Sequence, residues 1–278
     1  MKYISVIKKT AAVFAAAAIS AGFASCGLTT ENVKEESIPL ENVSSITAEL
    51  KSTDLRVRLG SENLLRYRVY ESLAPTVTQA GGRLKIVSGE GRDFRIDSES
   101  NNDFIELTLT RKQLDDLDIE LSSGDVVFDS FDINGSITTA SGDIEIDNAE
   151  NAGDVALKAN SGDITVKDCN FKSLSKKTSS GDAVLENITA DDMTLEATSG
   201  NTDIRCKKLC GIASESDSGD VNIRLSGSRE EIGYELRAKS GSIKVGSETY
   251  DDNYVNIGSA PQKIKCSTSS GDITIDFI

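Results

Sequence analysis

The sequence predicts an all-β protein, a parallel β-helix or solenoid with about 19 residues per coil and degenerate coils at its start. Three observations carry that expectation. A Ser-Gly-Asp tripeptide recurs from residue 123 to residue 272, apolar side chains alternate on both sides of each glycine, and 22 glycines stand against 3 prolines with no Trp. Period-two alternation is the mark of strands with one buried face, and abundant glycine suits tight turns between them.

The first 25 residues read as a secretory signal: Lys2, Lys8 and Lys9 precede an uncharged stretch from Ala11 to Phe23, and Ala24 and Ser25 lead to Cys26. An apolar run of about 13 residues is too short to span a ~30 Å hydrocarbon core. Phe23-Ala24-Ser25-Cys26 resembles the lipobox of bacterial lipoproteins, with Phe23 in the place usually held by Leu. The resemblance implies that Cys26 receives a diacylglycerol and becomes the new N-terminus. Two acyl chains, at about 0.8 kcal/mol per buried CH₂, hold a protein stably at a membrane where one does not. Residues 26–44 would then be the lipidated cysteine and a flexible tether, since 27–44 is polar, acidic and without periodicity. No later segment is apolar enough to span, so the lipid is the expected anchor, on the extracytoplasmic side of a bacterial cell membrane.

The repeat domain is expected over 45–278. Its clearest part, 111–278, carries Gly124-Asp125, Gly142-Asp143, Gly162-Asp163, Gly181-Asp182, Gly219-Asp220 and Gly271-Asp272, each preceded by Ser, with the variants Gly200-Asn201 and Gly241-Ser242. Successive glycines are 18, 20, 19, 19, 19, 22 and 30 residues apart. Two and four residues after each glycine stand apolar pairs such as Ile144 and Ile146 or Val221 and Ile223; seven, five and three before it stand sets such as Val155, Leu157 and Ala159. The buried phase is odd before the glycine and even after it, so the tripeptide must turn a corner. Glycine enters φ > 0 without a Cβ penalty, and Asp or Asn can bond a nearby backbone N–H. Stacked coils and a row of antiparallel hairpins both satisfy this pattern. Stacking is favoured because the same positions carry the same chemistry in many repeats, as in-register contact demands. Eight coils at ~4.8 Å would make a rod about 40 Å long.

The segment 45–110 reads as degenerate coils of the same domain. Ile46, Ala48 and Leu50 precede Ser52-Thr53-Asp54, and Leu55, Val57 and Leu59 follow, which is the same template with Thr in the glycine place. Further strands are expected at Leu65 to Tyr70, Leu84 to Val87 and Phe104 to Thr110, with a loop between Ser88 and Asp103. The long spacing before Gly271 predicts an insertion near Ser247 to Ala260, bulging from one corner.

The passage Leu107 to Val127, LTLTRKQLDDLDIELSSGDVV, and the Ser-Gly-Asp series after it resemble the bacterial "putative adhesin" family of β-strand-repeat domains of unknown function, often lipoproteins. The likeness covers roughly residues 45 to 278. It implies a right-handed β-helix-like fold at the cell envelope and supplies neither ligand nor catalytic residues.

Composition narrows the function. Without the leader the chain holds 27 Lys and Arg against 45 Asp and Glu, and it has no His. Histidine triads, histidine bases and histidine-ligated metals are excluded, as is a strongly basic nucleic-acid platform. If coils stack, Asp125, Asp143, Asp163, Asp182, Asn201, Asp220 and Asp272 form a column. It reads as turn-forming; calcium would suit an oxygen-rich edge, but one carboxylate per coil offers few ligands. Cys169 and Cys266 fall at inward positions and read as buried free thiols. Cys206 and Cys210 could bridge at a corner, whereas Cys169 and Cys206 stand two coils apart, beyond the reach of a disulfide. Zinc has weak support from one C-x₃-C. Arg56, Arg58, Arg66 and Arg68 alternate on early strands, as a solvated outer face or an anionic-polymer site.

The expected function is therefore adhesin-like: binding or scaffolding at the envelope without catalysis, cofactor or metal. The expected partners are the membrane through the lipid and an envelope protein or wall polymer. The last coil, ending in Ile275 and Phe277, could also pair edge to edge with another copy. The alternative is a β-helix enzyme acting on an envelope or extracellular polysaccharide. A concave face where Asp, Lys and Arg converge would favour the enzyme, and smooth polar walls the binder.

Overall fold

The computed structural model of the chain describes residues 32–89, 103–208, 210–250, 254–257, 260 and 262–278. The expected signal, Cys26 and nearly all of the loop expected at 88–103 lie outside them. The described part is all-β, with many strands, two single 3-10 turns at Glu71–Leu73 and Arg229–Glu231, and no α-helix among the described residues.

The N-terminal strands are Val33–Pro39 (β1), Ser45–Ser52 (β2), Asp54–Leu59 (β3), Leu64–Tyr70 (β4), Thr76–Ala80 (β5), Arg83–Val87 (β6) and Phe104–Leu109 (β7). The expected flexible tether is corrected over β1, which pairs antiparallel with β4. An open strand edge supplies backbone partners to any extended segment, so a polar stretch can join a sheet without apolar periodicity. The Tyr67 hydroxyl donates to Glu36, and Lys34 lies 3.2 Å from the same carboxylate. Tyr67 first, and then Lys34, hold Glu36 below the usual carboxylate range.

The regular part runs Gln113–Ser123 (β8), Val126–Asp129 (β9), Asp132–Ser141 (β10), Ile144–Asp147 (β11), Ala152–Ser161 (β12), Ile164–Lys167 (β13), Asn170–Ser180 (β14), Ala183–Ser199 (β15), Thr202–Cys206 (β16), Gly211–Ser218 (β17) and Val221–Leu225 (β18). Every pairing among these strands is parallel, which rules out the row of hairpins. Each tripeptide joins a strand of one ladder to a strand of the other, and the two strands form a layer. Facing positions stack in register: Phe128, Ile146, Val166, Leu185, Ile204 and Ile223 follow one another up one ladder, all buried. Each such side chain contributes about 1.5–3 kcal/mol by leaving water. Beside the corner the buried row narrows to Thr139, Ala159, Thr178, Ala197 and Ser216, the small residues the bend requires.

The C-terminal strands are Ile232–Ala238 (β19), Ile243–Val245 (β20), Glu248–Tyr250 (β21), Tyr254–Ile257 (β22), Gln262–Ser270 (β23) and Ile273–Phe277 (β24). Here spatial order departs from chain order. β23 pairs with β17 on one side and β19 on the other, and β24 lies between β18 and β20. The expectation that Ile275 and Phe277 belong to an exposed last coil is therefore corrected: the chain's final strands slot beneath an earlier layer. The insertion after Val245 does not bulge from a corner; β21 and β22 lie antiparallel on β20 and β19 and cover that end.

The N-terminal end mirrors this. β2 and β3 pair with β8 and β9, while β6 and β7, later in sequence, lie outside them. Antiparallel β5 and β4 then cover β6 and β7. Both ends thus finish in short antiparallel strands, the usual way to blunt an open sheet edge. Arg229, Glu248 and Tyr250 pin the C-terminal cover as Lys34, Glu36 and Tyr67 pin the other: Arg229 Nη2 donates to the Tyr250 hydroxyl at 2.6 Å, and that hydroxyl donates to Glu248 at 2.7 Å.

Candidate functional site: the aspartate corner and the outer faces

Each Ser-Gly-Asp corner sits directly on the corner below it. A Cβ placed on Gly142 would lie 2.1 Å from the Gly124 carbonyl oxygen, and its φ of 151° is itself unfavourable for an L side chain. Glycine is thus required by the layer beneath. The aspartate answers the layer above. Asp125 Oδ1 accepts the backbone N–H of Asp143 at 2.9 Å, Asp143 that of Asp163 at 2.8 Å, Asp163 that of Asp182 at 2.8 Å, and Asp182 that of Asn201 at 2.7 Å. Asn201 Oδ1 accepts from Asp220, Asp220 from Asp272, and Asp272 from Ser242.

This ladder has a direction, and its direction explains the departures from the motif. Ser242 stands in the outermost corner, where no further corner needs an acceptor, so donation of its N–H suffices. Thr53 stands in the corner at the opposite end of the column, where the next layer joins β6 and β7 through 88–103 instead of a tripeptide. Asp54 still accepts the N–H of Asp125 at 3.1 Å. Asn201 serves because an amide oxygen accepts as a carboxylate does. Among the described residues no three or more His, Cys, Asp or Glu side chains gather in a metal-binding group.

A second corner went unread in the sequence. Ser130, Asn148, Asp168 and Asn187 have φ between 52° and 68°, each six residues after a motif glycine. Asn and Asp tolerate this left-handed region better than most residues. Asn148 Nδ2 donates to Asp129, and Asn187 Nδ2 and Lys207 Nζ both donate to Asp168. The signal lay in the recurrence of Asn, Asp or Ser at that offset.

The four remaining cysteines are free and buried. Cys206 and Cys210 bring their sulfurs to 3.5 Å, and the hydrogen-bonded neighbour together with burial holds the Cys206 thiol protonated. Burial pushes Cys169 up to about 11 and Cys266 to about 12. Lys176 is the unforeseen interior residue. It occupies an inward position between Leu157 and Leu195, is 1% exposed, and donates to Thr202 Oγ1 at 3.3 Å. Burial lowers its pKa to about 8, against a smaller opposing pull from Asp182.

The outward positions of both ladders are largely polar. On the β15–β17–β23–β19 face a shallow cleft of about 620 Å³ has Gly211, Ala213 and Gly233 among its small residues and Asp192, Glu235, Lys263 and Lys265 among its charged ones. On the other ladder β4, β7 and β3 bring together the arginines picked out in the sequence: Arg66 and Arg56 both stand opposite Glu106 in register, and Arg58 pairs with Glu106 at 3.0 Å.

Parallel ladders, a glycine-aspartate corner and covered ends define an all-β repeat protein with no helix long and apolar enough to cross a membrane among its described residues. The chain belongs to the Toastrack DUF4097 family, whose model matches residues 42–276. It is similar in fold to a "putative adhesin" from Bacteroides fragilis, at 11% identity and a TM-score of 0.55, covering 90% of this chain and 98% of that one. A second protein described in the same words, from Parabacteroides distasonis, aligns at 10% identity and a TM-score of 0.51, covering 87% and 97%. No match is found among curated proteins.

Proposed function

We propose that the stacked layers are coils of a β-solenoid of about 19 residues each, carried on the outside of a bacterial cell membrane by a lipid on Cys26. The protein serves there as a non-catalytic binding or scaffolding element. Its partner would be an envelope protein or a wall polymer, in keeping with the adhesin-like description of its fold neighbours. The observation that supports this most is the in-register stacking itself. It makes two long polar faces of regular spacing, suited to engaging an extended partner, and it consumes the aspartates of the corner in backbone hydrogen bonds instead of freeing them for chemistry. Crosslinking in intact cells, with mass spectrometric identification of what is captured, tests the binding role. Intact-mass analysis for a diacylglyceryl group on Cys26 tests the anchor. Recovery of no partner, combined with glycan cleavage by the purified protein, overturns the proposal.

The second reading, an enzyme acting on a polysaccharide, lacks its usual equipment in that cleft: Asp192 and Glu235 stand three strand spacings, about 14 Å, apart, whereas glycoside hydrolysis uses two carboxyl groups about 5–9.5 Å apart.

A further inference from the structure

The crossing between β16 and β17 is built differently from those around it. At the second corner other layers bury a residue on each side of the turn: Phe131 and Ile133, Ala149 and Ala152, Ile188 and Ala190. In the layer that follows Ile188 both places are taken by cysteine, Cys206 and Cys210, with the exposed Lys207 and Lys208 in between. The crossing is also longer than the one it rests on. Ile188 pairs with Cys206 and Asp192 with Gly211, so five steps from Cys206 to Gly211 match four from Ile188 to Asp192.

Both ends of this longer crossing are fixed by the ladders. Cys206 closes β16 between Ile188 and Leu225, and Cys210 leads directly into Gly211 of β17. The two sulfurs are thereby held 3.5 Å apart, both inside the core. A disulfide needs about 2.05 Å, and rotation about a Cα–Cβ bond swings a sulfur further than the difference. The other two thiols have no such neighbour. Cys169 stands two layers from Cys206, about 10 Å away with Ile188 between them, and its sulfur donates to the Lys167 carbonyl at 3.0 Å. Cys266 lies on the other ladder, in register with Ser214 and Leu236.

We infer that Cys206 and Cys210 are a redox pair that closes into a disulfide when the chain folds in the presence of a disulfide oxidant, stapling the long crossing ahead of β17. One cysteine, as thiolate, attacks the oxidant's disulfide and expels the first oxidant thiolate, leaving a mixed disulfide. The other cysteine gives its proton to solvent and attacks the sulfur of the first, expelling the second oxidant thiolate. The pair loses two protons and two electrons and gains one S–S bond; the oxidant loses its S–S bond and becomes two thiols. Both sulfurs are covered in the finished fold, so the exchange belongs to the folding chain, and the closed bridge is then shielded from soluble thiols. β17 is the strand against which β23 docks, so the staple braces the layer that receives the chain's last strands. In the cell the oxidant rests on the export reading, because disulfides persist outside the cytoplasm; the geometry of the pair does not.

The test uses the full chain in two preparations. One is reduced, unfolded and refolded with reduced and oxidised glutathione; the other is trapped with acid in intact cells. Free thiols in both are blocked with N-ethylmaleimide in denaturant. Trypsin then cuts after Arg205, Lys207 and Lys208, which separates the two cysteines. The expected species is peptide 206–207 joined to peptide 209–224, free of maleimide and falling apart on reduction, while Cys169 and Cys266 each carry one maleimide. Reduction is expected to lower the melting temperature of the linked protein by about 4 °C and to leave that of C206S/C210S unchanged. Refolded monomer in which Cys206 and Cys210 both carry maleimide or glutathione overturns the inference, as does a bridge from either to Cys169 or Cys266. The linked peptide in refolded but not in cell-trapped protein upholds the inference and counts against the export reading; in both, it upholds both.

Discussion

The middle of this molecule and its two ends are built from the same kind of layer and assembled by different rules. From β8 to β18 chain order and spatial order coincide, and each layer rests on the one made just before it. At the ends the chain overshoots. β6 and β7 lie outside β2 and β3, so β2 waits for β8, and Leu50 finds Leu121 71 residues away. β19 and β20 are laid down first and become the outer layer only when β23 and β24 enter beneath them. The middle can therefore grow by local addition, whereas each end closes by a long-range insertion, the slower kind of contact to form. Closure leaves antiparallel strands as the outermost elements among the described residues.

The largest test of that contrast is removal of residues 262–278. If β23 and β24 were a terminal coil, their loss would shorten the stack by one layer and leave a folded monomer. Because they lie under β19 and β20, we expect the whole C-terminal cover to detach, with a broadened or lost thermal transition and aggregation in size-exclusion chromatography. A folded monomer with a sharp transition would refute the insertion.

Next in size is the corner. Gly142→Ala must push the Gly124 carbonyl away and adopt a forbidden φ, at a cost of at least ~2 kcal/mol. Thr53→Gly, at the corner with no tripeptide beneath it, should cost much less. Urea denaturation of the two variants measures this, and equal losses would show that the direction of the ladder does not matter.

Lys176 is a penalty placed in the middle, with no counterpart in the corresponding positions of the neighbouring layers. K176M is expected to stabilise the protein by about 1–3 kcal/mol at pH 7. The folded amine titrates near 8 and the free side chain near 10.5, so between those values the unfolded chain binds the extra proton. Stability therefore rises with pH across that interval, and the penalty is fully present below pH 8. The buried thiols act oppositely above pH 9, because folding keeps them protonated. The difference between the two proteins, and not the wild-type curve alone, isolates the lysine. A difference that stays constant from pH 7 to 11 would contradict it.

The smallest effect concerns the acceptors. Asp163→Ala leaves the Asp182 N–H without its partner and is expected to cost about 1 kcal/mol. Asp163→Asn keeps the oxygen, as Asn201 already does, and should cost a few tenths. If calcium were held along the corner, Asn would weaken it and chelator would lower the melting temperature of the wild type; we expect no change with chelator.

What could be read in advance follows from what is local. The two strands around each glycine, the buried rows, the corner and its aspartates were legible because alternation and glycine spacing act within a few residues. Even Ser52-Thr53-Asp54 was recognisable as a disguised corner, and the strands at 64–70, 83–87 and 104–109 stood where expected. The second corner was visible but unread, since Asn, Asp and Ser are common enough on a polar surface to hide a fixed offset. β1 was misread because an edge strand can be wholly polar when its backbone, and not its side chains, is what pairs. The four alternating arginines were legible as one outward set, but that β4 reaches β3 across β7, with Glu106 opposite both Arg66 and Arg56, appeared only in the folded molecule.

Layer chemistry thus belongs to the chain itself: which residues turn inward, where it bends, and why glycine and aspartate share the bend. The order of layers does not, because every layer offers nearly the same apolar rows to its neighbours and any one could rest on any other. Only the folded molecule chooses, by the lengths of the crossing segments and by the gain from covering both open edges at once.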